Sequence, residues 1–251
     1  MLTSIKGYQI SRDIGYAVTT EKRLIMPTIC FANSKGGAGK STTTLLVGQV
    51  LAEAGRTVCV LDADPNQPLG SWADRTGDDM PENLAIVRDV TEKTILDVLE
   101  EEESKNDFVL IDLEGTASIA VSYAISASDL VVIPCQGTQL DVDQAARVIA
   151  LVKNGERQTR RKIPFSILFT RVNPAIRPRD LTHIERELAA AGIPTFKSAV
   201  TQRAVYSTIF QTGGTIYQMS KADASNVERA IENAEAVTQE LINKLKEVAH
   251  G

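Results

Sequence analysis

Short apolar runs alternate with amphipathic stretches along most of the chain. The runs TICFAN (28–33), TVCVLD (57–62), LAIVRD (84–89), DFVLID (107–112), DLVVIP (129–134), PFSILFT (164–170) and TFKSAV (195–200) have the length and composition of strands. Several are apolar almost without interruption, as strands are when helices cover both faces of a parallel sheet. Helical periodicity fills most of the intervals, over 40–54, 91–104, 139–154 and 179–191, with shorter stretches near 117–126 and 203–210 and a long last helix over about 224–248. The alternation predicts an α/β fold: a doubly wound, mostly parallel sheet with helices on both faces. Residues 1–25 show no clear period, and a strand begins just after Met26. The expected organisation is an N-terminal extension over 1–25, too short to fold alone, and a single domain over 26–251.

Composition narrows the class. Hydrophobic residues make up 43% of the 251 and charged residues 24%, the balance of an ordered globular chain. No apolar run approaches the roughly 20 residues of a membrane span, and no secretory signal pattern opens the chain, so a cytoplasmic protein is expected. Cys30, Cys59 and Cys135 stand far apart in or after apolar runs, which reads as buried, reduced thiols. The net charge of -5 conceals an uneven spread: residues 1–143 carry -11, residues 144–179 carry +8 and residues 180–251 carry -2.

The first strand runs into SKGGAGKST (34–42), which opens the first helix. Gly36, Gly37 and Gly39, with Ala38 between them, let the backbone turn and aim N–H groups at phosphate oxygens. The helix starting near Lys40 adds its positive dipole end. Lys40 suits the β- and γ-phosphates, the Ser41 hydroxyl suits Mg2+ and Thr42 suits the α-phosphate. Lys35 is not needed for any of these tasks. Asp62 and Asp64 follow the second strand and Asp112 closes the fourth, where the carboxyl ends of parallel strands converge on a ligand crevice. Asp112 has the setting of a Walker B aspartate, which supports Mg2+.

Ser34 stands where GxxxxGK[ST] wants glycine, and the loop instead reads KGGxGK[ST][ST]. This is the deviant form of the ParA/MinD family of P-loop ATPases, which the chain resembles from FANSKGGAGKST through LDADPNQ, FVLIDLEG and ASDLVVIPCQGTQLDVDQ to about residue 250. The resemblance implies roles for individual residues. Lys35 would reach across a nucleotide-sandwich dimer to the partner's ATP, as an arginine finger does, while Lys40 acts within its own subunit. Asp64 would position the attacking water, so Lys35, Asp64 and Lys40 form the catalytic set. Ser41, Asp62 and Asp112 would hold Mg2+, Asp62 through its water shell. Thr170 and Arg171, at the end of the sixth strand, match positions that contact the base, and Arg203 matches the next element. One departure is Asp112-Leu-Glu-Gly115, where many relatives read D-x-P-P. It resembles the outlying branch that includes the relaxosome-associated transfer ATPases of plant-tumour plasmids. Glu114 there is either an extra carboxylate near the switch region or a loop residue.

Other branches fit less well. The nitrogenase iron-protein branch needs a second cysteine in a matching place, and the tyrosine-kinase branch carries a tyrosine-rich tail. In VTQELINKLKEVAHG, Leu241, Leu245 and Val248 form a stripe suited to packing on the body rather than to a membrane anchor. Arg147, Lys153, Arg157, Arg160, Arg161, Lys162, Arg171, Arg177 and Arg179 make the +8 block, which reads either as a nucleic-acid footprint without base stacking or as a solvated basic helix end. Relatives that bind DNA use cations nearer the C-terminal third, where Lys197, Arg203 and Lys221 stand. The expectation by resemblance is a weak, partner-stimulated ATP hydrolase with ATP and Mg2+. It would form an ATP-dependent homodimer and cycle on non-specific double-stranded DNA, in association with the nucleoid, to segregate or position a plasmid or chromosome. Its stimulating partner would be a centromere-binding or adaptor protein. The alternatives are a positioning or recruitment ATPase for a protein cluster or DNA-transfer complex, and a small-molecule kinase, which would not need Lys35.

Overall fold

The computed structural model describes residues 26–115, 118–175, 179–220 and 222–250. Its strands are β1 (Thr28–Phe31), β2 (Val58–Ala63), β3 (Leu84–Val87), β4 (Phe108–Leu113), β5 (Leu130–Cys135), β6 (Phe165–Val172) and β7 (Val200–Thr201). They form one sheet in the order β3-β2-β4-β1-β5-β6-β7, and every pairing is parallel. The helices are α1 (Lys40–Glu53), α2 (Pro68–Thr76), α3 (Ile95–Glu103), α4 (Ile119–Ala127), α5 (Gln139–Thr159), α6 (Arg179–Ala190), α7 (Ala204–Thr212) and α8 (Val227–His250), with a 3-10 turn over Gly77–Asp79.

Alternate strand residues feed two cores, because successive side chains point to opposite faces. Ile29 and Phe31 of β1 join Leu45 and Leu51 of α1, Trp72 of α2, Val205 of α7 and Leu241 of α8. Cys30 joins Leu99 of α3, Val121 of α4, Val152 of α5 and Leu188 of α6 on the other face. Helices therefore cover both sides, and strands buried on both faces read as continuous apolar runs. Cys30, Cys59 and Cys135 are buried and unpaired, and burial pushes all three thiols up, Cys135 to about 11. Leu241 and Leu245 of the last helix are buried against the body, while Val248 is exposed. Among the described residues no helix is long and apolar enough to cross a membrane.

Three elements differ most from the sequence pattern, and α3 begins four residues later than expected, at Ile95. The helix α2 was not foreseen, because PNQPLG reads as a turn and nine residues give little more than two helical turns. Its buried Leu69, Trp72 and Thr76 nonetheless keep helical spacing. The last strand shrinks to Val200–Thr201, with Thr195 making only an isolated bridge to Ile167. Between them the Lys197 and Ser198 N–H groups donate to the carboxylate of Glu240 in α8 rather than to a strand. The fifth helix runs on to Thr159, five residues past its expected end.

Candidate nucleotide-binding site

The central β1 lies between β4 and β5, and the loop leaving its carboxyl end carries residues 34–39 into α1. Gly37 and Gly39 adopt φ of 76° and 98°, conformations that a residue with a Cβ rarely takes. A Cβ on Gly39 would also meet Thr170 at 3.3 Å. The Thr170 hydroxyl donates to the Ala38 carbonyl at 2.7 Å, so the end of β6 buttresses the loop. No acidic residue stands in the first turn of α1 itself, which suits an anion at its N–H groups.

Carboxylates gather behind the loop. The register pairs Asp62 of β2 with Asp112 of β4, and Phe31 of β1 with the same Asp112. Lys40 is buried here: burial lowers its pKa, and the charges of Asp112, Asp64 and Glu114 oppose that shift. Glu114, left open by the sequence, thus stands where its charge acts on Lys40. The following Gly115 passes so close to the loop that a Cβ there would lie 3.3 Å from the Gly36 nitrogen and 3.6 Å from Lys40 Nζ.

The two metal-assigned aspartates differ. Asp62 Oδ2 accepts the backbone N–H groups of Leu69 and Gly70 at 2.9 and 2.8 Å, which ties it to the first turn of α2. Burial raises its pKa and those amides pull it down. Asp112 is fully buried, and neither of its oxygens has a hydrogen-bond partner. Burial pushes it up to about 8, with the nearby Ser41 hydroxyl working against the shift. An orphaned buried carboxylate is costly unless a cation or donor completes it. Asp112 together with Ser41 fits a hard cation that keeps most of its ligands from phosphate and water, as Mg2+ does. No cluster of three or more His, Cys, Asp or Glu side chains suited to a metal occurs among the described residues. Asp64 is half-buried, and its Oδ1 accepts from the Asn66 backbone and side-chain N–H groups at 2.9 Å.

Lys35 has a different partner. Its ammonium lies 2.7 Å from Oδ1 of Asp141, a fully buried carboxylate in the first turn of α5. The Thr138 hydroxyl donates to the other carboxylate oxygen. Burial works to raise the Asp141 pKa, but Lys35 and Thr138 outweigh it and hold the group below the usual carboxylate range. Further bonds clamp the loop to the same segment: Ser34 Oγ to Gln144 at 2.6 Å and Gln136 Nε2 to the Gly37 carbonyl at 2.6 Å. Asp141 was missed by sequence reasoning. Thr138-x-x-Asp141 does carry the spacing of a helix-capping box, but that signal says nothing about Lys35.

A cavity of about 220 Å³ opens beside the loop, lined among others by Gly39, Thr42, Thr170, Arg171, Arg203 and Tyr206. Arg203 belongs to this cavity, its Nε donating to Thr201 Oγ1 at 2.8 Å. It is thus grouped with Thr170 and Arg171, whereas Lys197 is exposed on the loop before β7. Lys221, the third candidate DNA contact, lies outside the described residues, as does Arg177 of the basic block.

The VirC1 protein family model matches residues 26–249. Protein ParA of Rhizobium radiobacter is 40% identical over 222 residues, covering 88% of this chain and 99% of that protein. Protein virC1 of Rhizobium rhizogenes is 29% identical over 193 residues, covering 75% and 82%. Among solved structures, an ATP complex of a McdA variant from Cyanothece aligns with a TM-score of 0.64 at 17% identity, over 84% of this chain and 96% of that one. That last likeness is one of fold.

Proposed function

The chain belongs to the VirC1 family and is of the ParA/MinD type of P-loop ATPases, and from this membership we propose that it binds Mg–ATP, dimerises around two nucleotides and hydrolyses ATP slowly while cycling on duplex DNA to segregate or position a plasmid or chromosome. The observation that carries the reading is that two lysines of one loop stand in different settings, which suits a division of labour. Lys40 is buried among three carboxylates, where it meets the phosphates of its own nucleotide. Lys35 sits on the loop's flank, 38% exposed and bound to α5, free to serve a neighbour once released.

In this reading the loop amides and Lys40 hold the phosphate chain, and Thr170, Arg171 and Arg203 line the space for nucleoside. Ser41 and Asp112 would hold Mg2+, which when bound draws negative charge off the phosphates. Asp64 orients the attacking water and accepts its hydrogen bond. Asp62 acts mainly by anchoring α2, and so shapes the loop that carries Asp64. Lys35 from the second subunit completes charge neutralisation only in the dimer, which couples hydrolysis to association.

The central experiment measures mass by light scattering and phosphate release with and without ATP, Mg2+ and duplex DNA. Dimerisation that depends on ATP, slow turnover and binding to unrelated duplexes support the reading. ATP consumption that requires a small-molecule acceptor, with no change in mass, overturns it in favour of a kinase. A second reading, recruitment of a DNA-transfer complex or protein cluster, is favoured by Asp112-Leu-Glu-Gly115, which resembles the branch of the transfer ATPases. Co-purification of a transfer protein rather than a centromere-binding one would select it. In either case a partner protein stimulates turnover.

A further inference from the structure

At the far end of α5 from Asp141, the chain gathers five cations within ten residues: Lys153, Arg157, Arg160, Arg161 and Lys162. With Glu156 they line a basin of about 340 Å³. The 21 residues of α5 span about 30 Å, so this basin stands at the opposite rim of the sheet from the phosphate loop. Among the described residues, only Glu156 and Asp129 counter the five charges. Glu156 pairs with Lys153 at 2.9 Å and reaches Lys162 at 3.9 Å, and Asp129 lies 3.4 Å from Arg161. The basin therefore keeps a surplus of three positive charges in a chain whose net charge is -5.

The five side chains are not equivalent. Arg161 donates to the carbonyls of Ser126 and Ser128 at 2.9 Å each, and so pins the α5–β6 connection to the end of α4. Lys153 covers the ring of Phe165. Lys162 is 91% exposed, and Arg157 pairs among the described residues with a neutral partner, Asn154 at 3.4 Å. Arg160 caps α5 at φ 53°, a left-handed conformation that glycine adopts freely and arginine does not. The chain thus holds an exposed cation at a position where a glycine would relieve the backbone.

We infer that this basin is the surface that grips duplex DNA, through Arg157, Arg160 and Lys162 on sugar–phosphate oxygens, with Arg161 as a positioning residue. The inference rests on the DNA-cycling reading above and adds the surface. The lining has no exposed apolar or aromatic side chain, so it lacks both a stacking platform for bases and the apolar anchor of a protein interface. What it presents is arginine and lysine donors on a rigid mount, the chemistry of sequence-independent phosphate contact. Lys197 is a weaker candidate, because the Glu240 carboxylate accepts its backbone N–H and so places a negative charge close to it.

The test compares wild type with Arg157→Gln/Arg160→Gly/Lys162→Gln and with Lys197→Ala, in the full chain with ATP and Mg2+. The probes are two unrelated fluorescent duplexes, titrated across a salt series. The triple variant should bind at least about tenfold more weakly to both duplexes. Its slope of log affinity against log salt should flatten by about 0.9 for each phosphate contact removed. Lys197→Ala should track wild type, and all three proteins should dimerise with ATP alike. Arg160→Gly alone should be at least as heat-stable as wild type yet bind DNA more weakly, a combination that a purely structural arginine would not give. If the triple variant binds as wild type does while Lys197→Ala fails, the surface is wrong and the DNA reading stands. If wild type binds neither duplex at any salt, the DNA reading itself fails. Retention of poly-glutamate but not duplex by wild type would reassign the basin to an acidic protein and overturn the inference.

Discussion

Lys35 and Asp141 lie 106 residues apart in the chain and 2.7 Å apart in space, and their bond joins the phosphate loop to the first turn of α5. The carboxylate is buried, so its charge depends on Lys35 and Thr138 to persist there. A lysine engaged in this way is unavailable to a second subunit. In the proposed dimer the bond would work as a latch whose opening is part of the cost of dimerising. Asp141→Asn keeps the shape and removes the charge. It should lower the ATP concentration needed for half-maximal dimerisation by several-fold, read by light scattering across an ATP titration. An unchanged midpoint would show that the latch contributes nothing to the switch.

The two loop lysines should separate on substitution. Lys40→Ala removes the buried cation from among Asp112, Asp64 and Glu114 and should abolish ATP binding. Lys35→Ala should leave binding of a fluorescent ATP analogue within several-fold of wild type and yet prevent ATP-dependent dimerisation. A Lys35→Ala protein that dimerises and hydrolyses normally would end the trans-lysine reading.

Asp62 and Asp64 should fail differently. Asp62→Ala strips two buried α2 amides of their acceptor, which should cost about 1–3 kcal/mol and lower the melting temperature. Asp64→Ala removes an acceptor for Asn66 in a loop and one of the charges near Lys40 but buries no orphaned amide, and its stability should stay within about 0.5 kcal/mol of wild type. That variant should accumulate as an ATP-bound dimer with little phosphate release. Undiminished turnover by Asp64→Ala would move the water-positioning role to Glu114 or Asp62.

Asp112 should make the metal-free protein sensitive to pH. Burial raises its carboxyl from an ordinary 3.8 to about 8. A folded-state value above the unfolded one stabilises the fold fully below the unfolded pKa, and that contribution is lost as pH rises through the folded value. Stability to urea without metal or nucleotide should accordingly fall between about pH 4 and pH 8. Asp112→Asn should remove that part of the slope. Equal slopes in the two proteins would show that Asp112 stays charged throughout.

Gly213 offers a check on how α2 is held. A Cβ there would fall 2.6 Å from the Arg75 carbonyl group, and the residue takes φ 80°. The adjacent Gly214 carbonyl accepts from Trp72 Nε1 at 2.9 Å. Gly213→Ala should lower the melting temperature by several degrees without altering duplex binding by protein that remains folded. A variant as stable as wild type would mean that α2 shifts freely, and that its tie to Asp62 is weak.

Residue order alone determined the strand–helix alternation, the parallel sheet and the phosphate loop with its two lysines. These are local properties: a strand buried on both faces must be apolar throughout, and a phosphate cradle is one contiguous run of glycines opening a helix. The place of Asp112 near the end of such a strand was legible for the same reason. Only the tertiary structure decided what the sheet order brings together. The position of β1 between β4 and β5 sets Asp112 behind Lys40 and sets the start of α5 beside Lys35. It also decided that Asp62 faces α2, a helix too short and too rich in turn residues to show in the pattern. Arg203 is placed in the cavity with Thr170 by the parallel pairing of β6 with β7, two residues of strand that local propensity extends too far. Such contacts join residues tens to a hundred positions apart, and no local period encodes them. They follow from which apolar faces must be covered at once, which is a property of the whole chain.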